Sequence, residues 1–292
     1  MTLSPIKALG TVWHIELFEA CDDQAALRKG IVEWLEEFES RYSRFRPDSW
    51  LSRLNQDGVF HNPNQQFVDL LNQALDYYYA TGGVFNVAVG ERLTKSGYDA
   101  DYTFTATDEL PTVPTLSEVL DISAAKISLQ SGSLDLGGIG KGYAIDKLAA
   151  YLQQEHGLSF FLINGGGDIY ATSDRNKPIT ITLAHPDDRS LAIGTAGLKH
   201  AGFAASSPRL RAWPDRNTGE SYNHLLTKHN VASYVVAPTA TEADVWATVS
   251  CLNQTIKPPP EILQLLIDES GQILKDTFVE LENRAAYTIY KK

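Results

Sequence analysis

The sequence predicts an α+β fold, on two observations. Segments with the two-residue alternation of strands and segments with the 3.6-residue repeat of helices come in clusters rather than in strict succession, which disfavours a doubly wound parallel sheet. No internal repeat, low-complexity tract or clear linker interrupts the chain, so residues 1–292 read as one domain, long enough to bury a large core.

The elements follow in order. Thr11–Phe18 alternates as a strand, and Asp23–Tyr42 reads as an amphipathic helix. Ser43–Asn55 is polar and arginine-bearing, contains Phe45 and Pro47, and reads as a loop. Asn64–Thr81 repeats Phe67, Leu70, Leu71, Leu75 and Tyr78 on one helical face and stops at Gly82-Gly83. Glu91–Thr115 is irregular. Lys126–Gln130 alternates as a strand, and Tyr143–Gln154 has helical spacing. Strands follow at Phe160–Asn164 and Ile169–Thr172, joined by a Gly165-Gly-Gly-Asp168 turn, and then at Ile179–Ala184, Leu191–Gly197 and His200–Ala205. Ser206–Asn223 reads as a long polar loop and Tyr234–Ala237 as a short strand. Thr241–Leu252 is a helix whose first-turn acids suit the helix dipole. Glu261–Asp268, Gly271–Asp276 and Ala285–Tyr290 close the chain with strand character.

With 43% hydrophobic and 21% charged residues, the composition is that of an ordinary folded protein. A formal charge of −11 argues against a nonspecific nucleic-acid binder, because no basic surplus exists to neutralise phosphates. Met1-Thr-Leu-Ser-Pro5 lacks the charged and apolar regions of a signal peptide, and no run has the length to span a bilayer. Cys21 and Cys251 lie far apart with no metal-binding spacing, as expected in a reducing compartment. The expectation is a cytoplasmic protein without a membrane anchor.

The most informative stretch is Asp135-Leu-Gly-Gly-Ile-Gly-Lys-Gly-Tyr-Ala-Ile-Asp146. It runs strand, tight glycine turn, helix. Such a turn can aim backbone N–H groups at a phosphate, with Lys141 as a fixed cation and Asp135 as a carboxylate for a metal or ribose hydroxyl. The same residues also suit a plain helix cap, and glycine content alone leaves the two readings level. The spacing is neither that of a P-loop nor of the dinucleotide fingerprint.

Asp244 and Thr248 are four residues apart on one helix and share a face, so a carboxylate and a hydroxyl one turn apart can form part of an oxygen site for Mg²⁺. A solvated face is the simpler account of that pair. Thr81-Gly-Gly-Val-Phe-Asn86 puts an aromatic and an amide after a glycine bend, suited either to a flavin or adenine ring or to a helix stop followed by a strand. His224 follows the long polar loop and is either a general base or an ordinary surface or core residue. The other histidines form no zinc spacing.

Taken together and in order, these pieces resemble the ApbE family of FAD:protein FMN transferases. The likeness rests on Gly10-Thr-Val-Trp13, Ser43–Asn55, Gly82-Gly-Val-Phe-Asn86, Asp135–Asp146, Asn164-Gly-Gly-Gly-Asp168 and Glu242-Ala-Asp-Val-Trp-Ala-Thr248. The resemblance implies a T-fold-like core with mixed or antiparallel sheets flanked by helices. It also implies Mg²⁺-dependent transfer of FMN from FAD to a Thr or Ser hydroxyl of an acceptor flavoprotein, with release of AMP. Carried over by position, Phe45, Val84, Phe85, Asn86, Asp135 and Lys141 would contact FAD. Asp244, Thr248 and the carbonyl of Gly138 would hold the metal, and His224 and Asp244 would be catalytic.

The chain departs from the family pattern in places. There the histidine is followed by Ile-Ile-Asp-Pro-x-Thr-Gly, whereas Leu225-Leu-Thr-Lys-His-Asn230 follows His224. Asn86 stands where Asp is usual, Thr241 replaces an acid, and Ser206-Ser-Pro208 replaces a Ser-Gly turn. The alternatives are a FAD-binding carrier or sensor impaired in transfer, and a pyrophosphatase that splits FAD into FMN and AMP.

Overall fold

The structure is a computed structural model that describes residues 1–107, 109–175, 177–188, 190–278 and 288–289. The α+β expectation holds: helices accompany sheets whose ladders are all antiparallel among the described residues. By its internal contacts the chain divides into two compact units. One comprises residues 1–36, 141–210 and 229–292, the other 37–140 and 211–228.

The first unit is built on an eight-stranded sheet. Its strands, Ile6–Ala8, Thr11–Leu17, Phe161–Gly165, Asp168–Thr172, Ala201–Ser206, Ala232–Ala237, Leu263–Ile267 and Ile273–Asp276, lie side by side in chain order. On one face the helix Ala240–Leu252 packs on the strands Asp168–Thr172, Ala201–Ser206 and Ala232–Ala237. On the other face a hairpin of Ile179–Ala184 and Ala192–Leu198 brings Ile181, Leu183, Ala196 and Leu198 into one core with Ile169, Ala171, Phe203 and Leu265. The alternation of Ile179–Ala184, buried at every second residue, is the pattern of a strand that buries one face. Of the Ala285–Tyr290 strand expected from the sequence, only Thr288–Ile289 falls within the described residues, paired with Gly194–Thr195.

The helix Gly140–His156 begins inside the glycine run, and Gly142 explains why glycine is needed there. A Cβ on it would lie 2.4 Å from the Ala240 carbonyl oxygen and 2.7 Å from Thr241 Cα, both backbone atoms that cannot step aside. Gly202 answers from the sheet below, where a Cβ would lie 2.3 Å from the Thr239 carbonyl carbon. The two helices therefore start in near-contact at Thr239–Thr241. Asp146 closes that contact by accepting the N–H groups of Ala240 at 2.8 Å and Thr241 at 2.9 Å. Thr239 caps Glu242 N–H at 3.1 Å, and the Glu242 carboxylate returns to Thr239 N–H at 3.1 Å. The first donors of the helix are thus all satisfied by side chains of the protein.

Four readings are corrected by the structure. Ser43–Asn55 is not all loop: Trp50–Asp57 is helical, capped by Ser49, whose hydroxyl accepts Ser52 N–H at 3.0 Å, and closed by Gly58 at φ +69°. Only Leu51, Ser52 and Leu54 of those eight residues are buried, too few to give a repeat. Glu91–Thr115 overlaps a short helix, Gly90–Lys95, before the chain turns irregular. Ser206–Asn223 holds a 3₁₀ turn at Pro208–Arg211 and a hairpin of Ala212–Pro214 with Ser221–Asn223. Strands of three residues carry no legible alternation. No strand follows Gly82-Gly83; the chain there turns directly into the Gly90–Lys95 helix.

Gly142→Ala should destabilise the protein by at least about 1–3 kcal/mol, since overpacking against backbone cannot be relieved by a rotamer change. The urea-unfolding midpoint measures it; a midpoint equal to that of the parent would show that the helix starts are not in contact.

Candidate active site

In the first unit, Lys141 is the second residue of its helix, and its ammonium pairs with Asp168 and lies 3.5 Å from Asp244 Oδ2. The same Asp244 oxygen accepts the Gly142 N–H at 3.1 Å. Asp168 is the first residue of the strand after the Gly165-Gly166-Gly167 turn, where Gly166 and Gly167 have φ of +76° and +111°. Both carboxylates are buried, 4% and 5% exposed. Two acids sharing one ammonium leave an uncompensated negative charge away from water, which is costly unless a cation or proton answers it. Burial pushes Asp244 up, to about 7, against the pull of Lys141 and with the push of Asp168. Thr248 lies one helical turn beyond Asp244 and is half-buried. Burial also raises the carboxyl of Asp146, opposed by its bonds to Thr241 and Ala240.

Three amides of the glycine turn have partners within the protein: Gly137 N–H goes to Asp135 Oδ1 at 2.6 Å, Gly140 N–H to the Leu136 carbonyl at 2.6 Å, and Gly142 N–H to Asp244. None of the turn's glycines has a positive φ. The turn leads into the Gly140–His156 helix, and it presents Lys141 and, through Gly142, an oriented Asp244.

The other predicted residues lie in the second unit and are described there on their own. Asp135 is buried and engaged at both oxygens, by Gly137 N–H and by the guanidinium of Arg44. Arg44 also donates to the Tyr98 carbonyl at 2.8 Å and lies over the rings of Phe45, 4.2 Å from its centroid, and Tyr98 at 5.3 Å. Phe45 stacks near-parallel with Tyr102, centroids 5.7 Å apart, and Tyr98 stacks with Trp213 at 5.3 Å. Arg44, Tyr98, Tyr102 and Trp213 escaped the sequence reading; three aromatics at 98, 102 and 104 in a polar segment were the available signal. Phe85 is 3% exposed, its ring packs edge-on against Tyr77, and its backbone N–H donates to the Thr81 hydroxyl at 3.0 Å. Asn86 ties Ala88 N–H and the Pro114 carbonyl together at 2.9 Å each, and Val84 is half-buried beside it.

His224 is half-buried at the end of the hairpin, its backbone N–H donating to the Arg211 carbonyl at 3.1 Å and Nδ1 3.4 Å from the same oxygen. The segment after it is pinned by Asn223, which accepts Leu225 N–H at 3.0 Å and donates to the Thr227 carbonyl at 2.7 Å. An Asp-x-x-Thr-Gly spacing stands before His224 rather than after it, at Asp215-Arg-Asn-Thr-Gly219, in the hairpin turn. Counting back three residues from Asp215 gives Ala212, whose cross-strand partner is Asn223, the neighbour of His224.

The comparisons with known proteins agree with this architecture. The ApbE family matches residues 9–266, and the chain belongs to that family. It is 26% identical over 269 residues to the FAD:protein FMN transferase of Klebsiella pneumoniae (strain 342), covering 83% of this chain and 75% of that protein. The corresponding protein of Escherichia coli (strain K12) is 26% identical over 277 residues, with the same coverage. Among solved structures, the flavin transferase ApbE from Vibrio cholerae superposes with a TM-score of 0.75 at 23% identity, over 94% of this chain and 96% of that one. The ApbE protein from Thermotoga maritima MSB8 does so at 0.76 and 20% identity, over 97% and 99%. At such identities the structural likeness speaks for the fold.

The Asp215 turn carries a pH signature. Its Oδ2 accepts Ala106 N–H at 2.5 Å, while Oδ1 accepts Thr218 N–H at 2.7 Å, Thr218 hydroxyl at 2.8 Å and Asn217 N–H at 3.0 Å. These bonds to the charged form hold the carboxyl down, at about 2. The unfolded chain, titrating near 4, takes up the proton first as pH falls. The stabilisation is therefore complete above about pH 4 and disappears toward pH 2. Asp215→Asn should lower the urea midpoint at pH 7, and its gap from the parent should narrow as pH drops from about 4 toward 2; a gap independent of pH would contradict this assignment.

Proposed function

We propose that this chain transfers FMN from FAD to a Thr or Ser hydroxyl of an acceptor protein, releasing AMP, with Mg²⁺. The observation that carries the reading is the Lys141–Asp168–Asp244 cluster: two buried carboxylates against one ammonium. The donors fit a hard divalent cation, with carboxylate oxygens on Asp244 and Asp168 and the Thr248 hydroxyl one turn from Asp244. The Gly138 carbonyl joins that set by family resemblance alone. When bound, Mg²⁺ would offset the charge gathering on the pyrophosphate oxygens.

In the reaction the acceptor hydroxyl oxygen bonds to the phosphorus of the FMN half. The pyrophosphate bond to the AMP half breaks, AMP leaves, and the hydroxyl proton passes to a protein base, the role proposed for His224. The chain's own contribution is positioning. Gly142 N–H and Lys141 fix the orientation of Asp244, and the short turn before Asp168 fixes the other carboxylate. The family membership and the curated relatives, all FAD:protein FMN transferases, support the same reading.

A second reading, flavin binding without transfer, draws on Ala212, which stands where the family pattern, registered on Asp215, has its histidine. Asp244→Ala should cut AMP release from FAD in the presence of Mg²⁺ and acceptor by roughly 10²-fold or more, and Thr248→Ala should raise the Mg²⁺ concentration needed. AMP is measured by chromatography and the adduct by flavin fluorescence on a denaturing gel. Intact FAD bound by the parent, with no AMP under any condition, would replace transfer by the second reading.

A further inference from the structure

The face of the sheet opposite the carboxylate cluster holds a cleft of ≈ 680 Å³. Its origin lies in the register of the covering hairpin. The strand Ala192–Leu198 packs on Asp168–Thr172 and Ala201–Ser206 and covers that part of the sheet, and Ile181, Leu183, Ile169 and Ala171 belong to one core. Among the described residues the cover runs out toward Phe161–Gly165 and Thr11–Leu17, and Phe18 and Phe160 remain only partly buried at its margin. The cleft is floored by the buried side chains of Leu162 and Ile169. One wall is the Phe18–Phe160 ring pair, centroids 4.9 Å apart.

The rim has charge of one prevailing sign. Arg175 and Lys177 line it and are exposed, and the Arg175 guanidinium lies 4.8 Å from the Phe160 centroid. Glu16 is the one acid among the lining residues, so the rim carries a net positive charge on a chain whose formal net charge is −11. A cleft of this size with an apolar floor, an aromatic wall and a few polar groups is the usual form of a small-molecule site. Cations beside an aromatic wall select for the charge of what enters.

We propose that this cleft binds an aromatic organic anion, its ring against Phe18 and Phe160 and its carboxylate or sulfonate at Arg175 and Lys177. The site is separate from the one proposed for FAD: strand alternation turns Asp168 toward the helices and Ile169 into the cleft, so the two occupy opposite faces of one strand.

The test uses two fluorescent probes that differ in charge, 1-anilinonaphthalene-8-sulfonate and the neutral N-phenyl-1-naphthylamine, titrated into the full chain with saturating FAD present. The sulfonate is expected to bind saturably at one site, at least tenfold more tightly than the neutral probe. Arg175→Ala with Lys177→Ala should remove that advantage and leave the neutral probe unaffected. Both substitutions are at exposed positions, and an unchanged urea midpoint establishes that the double variant is folded. Phe160→Ala should weaken both probes. Equal affinity for the two probes, no saturable binding, or indifference to the double substitution would each overturn the proposal, and so would displacement of the sulfonate by FAD. These outcomes are independent of whether FAD is cleaved.

Discussion

The close approach of two helix starts organises the first unit. Gly142 lets the Gly140–His156 helix touch the backbone at Ala240, and Gly202 lets the strand beneath touch it at Thr239. The contact would be expensive if the amides of Ala240 and Thr241 were sealed away without acceptors. Asp146 removes that cost by reaching across one turn after Gly142 and taking both N–H groups. Its carboxylate also lies at the positive end of the Ala240–Leu252 helix dipole, which favours the charged form against the cost of its burial. The two glycines and the aspartate therefore act as one device, since each requires the other two.

Everything polar in the cluster follows from that contact. Once the helix starts touch, the side chain of Lys141 and the backbone N–H of Gly142 both reach Asp244, one turn into the neighbouring helix. The Gly165–Gly167 turn then brings Asp168 to the same ammonium. One cation between two acids is a poor way to gain stability, because desolvating three charges costs more than one pairing returns. A further positive charge, such as the Mg²⁺ proposed here, would offset that imbalance.

Much of the frame was legible in the sequence because it depends on local rules. The alternation in Thr11–Phe18 and Ile179–Ala184 identified strands to within a residue, and the helix read from Asn64 starts at that cap; the helix read from Thr241 starts one residue earlier, behind the Thr239 cap. The glycine run was recognised, but its purpose was not. Glycine suits both an anion cradle and a close helix contact, and only the position of Ala240, a hundred residues on, tells them apart. Asp146 and Asp168 are likewise ordinary acids until the fold gives them partners 95 and 27 residues away. The hairpin at 212–223 was missed for another reason. Its strands are three residues long, and its stability comes from the Asp215 turn, whose acceptor bonds reach back to Ala106. That turn holds an Asp-x-x-Thr-Gly spacing at Asp215–Gly219, one strand before His224.

The strand Asp168–Thr172 shows how little backbone separates the two faces of the sheet. Asp168 and Tyr170 face the helix side, where the charge on Asp146 and burial raise the Tyr170 hydroxyl, burial being the larger cause. Ile169 and Ala171 face the hairpin side and belong to its core. A ligand seated on Ile169 would press on the same five residues that fix Asp168. The strand is paired on both sides, with Phe161–Gly165 and with Ala201–Ser206, so it cannot shift alone. That rigidity keeps the acid against Lys141 in place, and it lets a cleft open on one face of the strand without disturbing the carboxylates on the other.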